Sequence, residues 1–180
     1  MKTKIIFLAL LVAALLPFSA NAQTVYTVEE ITVKAPTLVG QTIQIKGQAS
    51  HVCAVSGRKL FLADAEGDKL IRVNAGKDIA KFDKKVVDST VIATGVVTEN
   101  RTYLADLKTQ LVAVKEAAKA KKKSDHCDTE AKAEGMTLSA TPTQRINKQI
   151  ADLKKQIKAG GKDYFANYTV NDCNIYAIAK

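Results

Sequence analysis

The chain has 180 residues, 47% of them hydrophobic, 25% charged and only 6% aromatic, with a formal net charge of +9. Enough apolar material is present for one domain with a real core, or a small domain with an appendage, and no second apolar stretch reaches the roughly 20 residues of a membrane span. The positive charge admits nucleic acid, anionic lipid or acidic polysaccharide as partners, but it is nearly all lysine: only Arg58, Arg72, Arg101 and Arg145 supply the planar fork that phosphate recognition favours.

Lys2 and Lys4 precede an apolar run from Ile5 to Leu16, and Ala20-Asn21-Ala22 precedes Gln23. Positive start, short apolar core and an A-x-A site are the parts of a cleavable secretory signal, so residues 1–22 read as a signal peptide cut after Ala22. A periplasmic or secreted protein is expected, with no membrane span in the mature chain. Removing the two signal lysines from 27 basic residues against 18 acidic ones leaves a net charge near +7.

Thr27 and Glu30 have the spacing of a capping box, so a short helix is predicted from there to Pro36. Thr42 to Gly47 alternates apolar and polar residues, the pattern of a half-buried strand with Ile43 and Ile45 inward. Lys59–Asp64 and Lys69–Val73 read as the next strands, Gly76–Phe82 as a single helical turn, and Ser89–Val97 as a fourth strand interrupted by Gly95. Leu38-Val39-Gly40-x-x-Ile43-x-Ile45-x-Gly47, the strand pair, the short turn and Val91-x-Ala93-x-Gly95-x-Val97 resemble an OB-fold. The likeness is to anticodon-binding-like OB domains and to bacterial exported OB-fold proteins. It spans residues 25–103 and implies a five-stranded β-barrel, whose first strand bends sharply to serve both sheets. In that family a fifth strand follows the fourth directly. Here the period changes instead.

Leu104, Leu107, Leu111, Val114 and Ala118 recur at three- and four-residue spacing, predicting an amphipathic helix over 103–123. Ser124–Ala140 is polar and aperiodic. Thr141-Pro142 opens a second helix with the stripe Ile146, Ile150, Leu153 and Ile157, closed by Gly160-Gly161. Residues 164–170 and 174–178 are strand-like, and either could be the missing barrel strand. The organisation is thus a signal peptide (1–22), an OB-fold-like domain (23–103), and a two-helix extension with terminal strand segments (104–180) that packs back on the barrel. In it the tail aromatics Tyr164, Phe165, Tyr168 and Tyr176 are expected to serve as packing. Within the barrel segment, Phe61 and Phe82 are expected in the core, which argues against the aromatic platforms of single-strand binders.

Chemistry concentrates in five residues. His51 and Cys53 are two apart, His126 and Cys127 are neighbours, and Cys173 lies near the end. Imidazole and thiolate are the ligand pair that zinc prefers, and i, i+2 on a strand turns His51 and Cys53 to one face. Adjacent His126 and Cys127 can join them only from a loop. The stretch from Ser50 to Phe61 also resembles an uncharacterised subfamily of exported OB-type proteins with His-x-Cys before the first barrel turn, which implies a functional motif without naming its function. Set against a metal site is a Cys127–Cys173 disulfide, worth about 2–4 kcal/mol, with Cys53 an unreactive thiol. The sequence holds no phosphate-cradling glycine loop, no Gly-x-Ser-x-Gly elbow, and no orienting residue or oxyanion hole for a catalytic cysteine. A non-catalytic binding protein holding zinc is therefore expected. One alternative is an OB module that binds nucleic acid or another acidic polymer through Lys46, Lys59, Lys69 and Arg72. The other is a thiol redox or stress protein using Cys53.

Overall fold

The computed structural model describes residues 24–120, 129, 132 and 140–179. The segment read as a signal peptide lies outside the described residues, as do His126 and Cys127.

The capping box forms as expected. Glu30 Oε2 accepts the Thr27 N–H at 2.9 Å, and Thr27 Oγ1 accepts the Glu30 N–H at 3.2 Å. A short strand, β1 (Val25–Thr27), leads through it into α1 (Val28–Leu38). Pro36 does not stop the helix, which runs two residues further; so near the end, its missing N–H forfeits only the bond to Thr32. Val28, Ile31, Ala35 and Leu38 form one buried stripe along α1.

Five more strands follow: β2 (Thr42–Val52), β3 (Lys59–Ala63), β4 (Leu70–Ala75), β5 (Thr90–Tyr103) and β6 (Tyr164–Ile178). They pair in the order β2–β3–β4–β6–β5, and β5 returns to β2, so the sheet closes into a five-stranded mixed barrel of the OB type. β4–β6 is its one parallel pairing, and β1 adds to β2 outside the ring. The fifth barrel strand is therefore β6. Its two strand-like runs are one strand, joined by an irregularity at Asp172, which has a φ of 51°.

β2 extends well past the predicted Thr42–Gly47. At Gly47 a Cβ would stand 2.7 Å from Val28 Cγ2 and 2.9 Å from Ala63 O, so α1 and β3 approach this point too closely for a side chain. A bulge between Ala49 and His51 then turns the strand. The helical turn expected over 76–82 is absent, and a 3-10 turn occupies Lys84–Val86 instead. The reason is Arg58. Its guanidinium donates to the carbonyls of Ile79 (3.0 Å), Ala80 (3.1 Å), Ala75 (2.9 Å) and Gly76 (3.0 Å), holding oxygens that a helix would pair with its own N–H groups.

Ile43, Ile45, Leu60, Leu62, Val73, Val91 and Val170 fill the barrel together with the α1 stripe. α1 closes one end; Ile79, Phe82 and Val86 pack at the other, where the Phe82 ring meets Tyr176 edge-on at 5.1 Å. Helices α2 (Leu104–Lys119) and α3 (Pro142–Lys158) are inserted between β5 and β6. They form an arm carried on the β5–β6 ribbon, with a small core of its own: Leu107, Ile146 and Leu153, flanked by Leu111, Val114, Ile150 and Phe165. Of the expected stripes, Leu107, Ile146 and Leu153 are buried and Leu104, Leu111, Val114 and Ile150 half-buried, whereas Ala118 and Ile157, toward the C-terminal ends of the two helices, are exposed. The helices gain their core from each other and from Phe165, not by lying back on the barrel. Tyr168 and Tyr176 do pack against the barrel core, whereas Tyr164 sits beside Tyr103 on the ribbon. Among the described residues no helix is long and apolar enough to cross a membrane.

Candidate functional site

Strand alternation decides which residues face outward. In β3, Leu60 and Leu62 enter the barrel core, so Lys59, Phe61 and Ala63 lie on the outer face. In β4, Ile71 and Val73 point inward, leaving Leu70, Arg72 and Asn74 outside. Pairing extends the outer face to both sides: Gln48 opposes Ala63, His51 opposes Phe61, and Arg72 opposes both Phe61 and Thr169. A row thus runs His51, Phe61, Arg72, Thr169 across four strands. Thr169 and Asn74 both bond to Asn171 Oδ1, at 3.2 Å and 2.6 Å, and Asn100 Nδ2 donates to Thr169 Oγ1 at 2.9 Å.

His51 and Cys53 share this face, as their spacing predicts. The imidazole lies 5.8 Å from the Phe61 ring centroid. Cys53 stands opposite Lys59, its N–H donated to the Lys59 carbonyl at 2.9 Å, at the start of the β2–β3 loop, whose turn is closed by Gly57 N–H donating to the Cys53 carbonyl. The side chain is buried yet does not belong to the barrel core. Burial pushes the thiol up, but the N–H groups of Ser56 and Val55, the Ser56 hydroxyl and the Lys59 ammonium outweigh it, holding the group below the ordinary thiol value. This loop can therefore carry a negatively charged sulfur.

Phe61 is fully buried, although it is on the outer surface of the barrel and not in its core as expected. Its alternation with Leu60 and Leu62 was the available signal. Beside it a cleft of about 370 Å³ is lined by Gln48, Ser50, Ala63, Gly67, Leu70 and Asp88 from the barrel, and by Thr129 and Lys132 from the α2–α3 connection. Lys132 Nζ donates to Gly67 O at 3.2 Å. The connection between the helices thus reaches the face that carries His51 and Cys53. Asp88, at a φ of 67°, donates its N–H to Ala49 O at 2.8 Å beside the bulge; nothing in the sequence marks it.

No protein-family model matches this chain, and no curated protein matches its sequence. What the face can bind rests on its own chemistry.

Cys173 does not join the outer face. It lies wholly buried in the barrel core with a free thiol, Sγ directed at Ile175 O (3.4 Å). Among the described residues no three His, Cys, Asp or Glu side chains converge on a metal position. The four cations named for an acidic polymer fall at three places in the fold. Lys59 and Arg72 share the outer face, Lys69 sits at the β3–β4 turn, and Lys46 lies where β2 pairs with β1 and β5.

Burial raises the Cys173 thiol from 9.0 to about 11. The unfolded chain loses this proton near pH 9, the folded chain only near pH 11, so this contribution to stability is intact below pH 9 and disappears as pH rises through 11. Urea titrations at pH 8 to 11 should show the unsubstituted chain losing stability faster than Cys173→Ala over that window. Parallel profiles would mean that the thiol is not proton-linked to folding.

Proposed function

We propose that this is an exported, non-catalytic OB-fold binding protein that holds a zinc-like metal ion between the outer barrel face and the α2–α3 connection. The ligands in this reading are His51 and Cys53 from β2 and its loop, with His126 and Cys127 from the connection. One observation carries the reading: Thr129 lines the cleft with Ser50, the neighbour of His51. Thr129 follows Cys127 by two residues and His126 by three, and two to three residues of chain reach about 7–11 Å, so the second His-Cys pair is joined by a short length of chain to a residue of this cleft. Two imidazoles and two thiolates are a tetrahedral zinc set. Cys173 has no part in it, because its thiol is on the inner side of the barrel wall. Such an ion would fasten the connection over Phe61, which suits a structural role better than turnover.

Metal analysis of protein prepared without chelator tests this. About one zinc per chain is expected, lost in Cys53→Ser and in Cys127→Ser and kept in Cys173→Ser, with two thiols released on chelation. Cobalt(II) reconstitution adds a thiolate-to-metal absorption band that fades with His51→Ala, separating lost ligation from misfolding. Protein that takes up no zinc or cobalt, or that keeps its metal without both Cys53 and Cys127, would overturn the proposal. Rapid alkylation of Cys53 in metal-free protein would favour thiol redox chemistry instead.

A further inference from the structure

The β5–β6 ribbon has a second face, turned away from the helices. Tyr103 opposes Tyr164, Arg101 opposes Ala166 and Glu99 opposes Tyr168, which puts these side chains on one side of the ladder. The alternate side, through Phe165, is covered by α2 and α3. Tyr103 remains 39% exposed, and its ring centroid is 5.5 Å from that of Tyr164. The Arg101 guanidinium stands 4.6 Å and the Lys162 ammonium 5.2 Å from the Tyr164 centroid. Glu99 grips Arg101 at 2.7 Å and so fixes where the fork points. Gln156 donates to the carbonyls of Lys162 (2.6 Å) and Tyr164 (3.2 Å), pinning the last turn of α3, with exposed Lys155 and Lys158, to the same end of the ribbon.

Charge is also unevenly shared. Among the described residues the arm, 99–120 and 140–168, carries ten basic side chains against five acidic ones; the barrel, 24–98 and 169–179, carries ten against nine. Among the described residues, the excess positive charge therefore lies on the same arm as this aromatic pair, with Arg101 and Lys162 beside the Tyr164 ring. Cations alone would suit any polyanion. Rings beside cations suit a polymer that alternates planar groups with negative charges.

We infer that this ribbon face binds single-stranded nucleic acid, with bases stacked on Tyr103 and Tyr164 and phosphates met by Arg101, Lys162, Lys155 and Lys158. The inference rests on the reading of the chain as a binding protein, but not on the metal. It moves the acidic-polymer ligand away from Lys46, Lys59, Lys69 and Arg72. Because stacking and backbone charge are the contacts, binding is indifferent to base sequence.

Fluorescence anisotropy with a labelled oligothymidine, using the full mature chain, tests it. Affinity should fall steeply with salt, with a log–log slope of about −2 for three phosphates engaged. Tyr103→Ala and Tyr164→Ala should each weaken binding about tenfold, from lost stacking, and Tyr103→Phe should restore it. Lys155→Gln with Lys158→Gln should reduce the salt slope by about one. Any one of these results would overturn the inference: no binding at low salt, binding unaffected by either tyrosine substitution, heparin competing as well as the oligonucleotide at equal charge, or binding only to phosphatidylglycerol vesicles. Running the titration with and without chelator keeps the two proposals apart, since oligothymidine binding that needs zinc would contradict this site and leave the metal reading standing.

Discussion

Gly95→Val is expected to prevent the barrel from closing. Gly95 lies in β5 opposite Ile43 of β2, at the point where pairing with β6 shifts register. A Cβ there would lie 2.5 Å from Asn171 O and 2.7 Å from Val170 Cγ1. The first obstacle is backbone, in a stretch of β6 already bent at Asp172, so it cannot yield as a flexible side chain would. Even Gly95→Ala should cost about 3 kcal/mol, at the upper end of overpacking penalties, against a total stability on the order of 5–15 kcal/mol. Urea denaturation of the alanine variant provides the number, and valine should leave little soluble folded protein. Gly40→Ala is the control: nothing lies within 4 Å of a Cβ there, and only its φ of 82° opposes the change, at about 1 kcal/mol. If Gly95→Ala were as mild as Gly40→Ala, close approach at the β5–β6 seam would not be what demands glycine.

Leu153→Ala should release the helical arm while the barrel survives. Leu153 is fully buried, but among the described residues the arm's core has only two other buried side chains, Leu107 and Ile146. Truncating a buried leucine costs about 2–5 kcal/mol, a large fraction of what so small a core can supply. The barrel cluster is separate, so its packing does not depend on this contact. The expected result is a marked loss of helical circular dichroism at 222 nm with a barrel transition that persists on heating. Leu62→Ala, inside the barrel, should instead lower the whole transition. A single transition lowered equally by both substitutions would show that arm and barrel fold as one unit.

Much of this was legible in the chain. The Thr27–Glu30 box, the Ile43/Ile45 alternation and the Leu107 and Leu153 stripes are local signals, each dictated by residues within a turn or two, and each appears in the structure. Pro36 departs from expectation for a local reason, since two residues from the helix end it forfeits a single bond, but the 76–82 turn depends on a partner distant in sequence. For the turn, the guanidinium of Arg58 decided it. Phe61 was assigned to the core because a phenylalanine between two leucines is usually buried. Buried it is, but on the far side of the barrel wall. The cleft residue Asp88 carries no pattern of its own, since its position follows from where β2 bulges.

The placement of the chemical residues divides in the same way. That His51 and Cys53 share a face follows from the two-residue period of a strand, which any local reading recovers. That Cys173 is on the opposite side of the wall follows from the shift in β6 about Asp172, invisible before β6 is paired with β4 and β5. The sequence by itself determined the helices, most of the strands and their inward faces, because propensity, capping and periodicity act over a few residues. Only the tertiary structure decided that the last strand closes the barrel and that Tyr103 meets Tyr164 on an exposed ribbon. It alone brought the α2–α3 connection to the His51 face. Those are pairings between segments dozens of residues apart, and the choice among them is made by which closure buries the most apolar surface without leaving backbone groups unpaired.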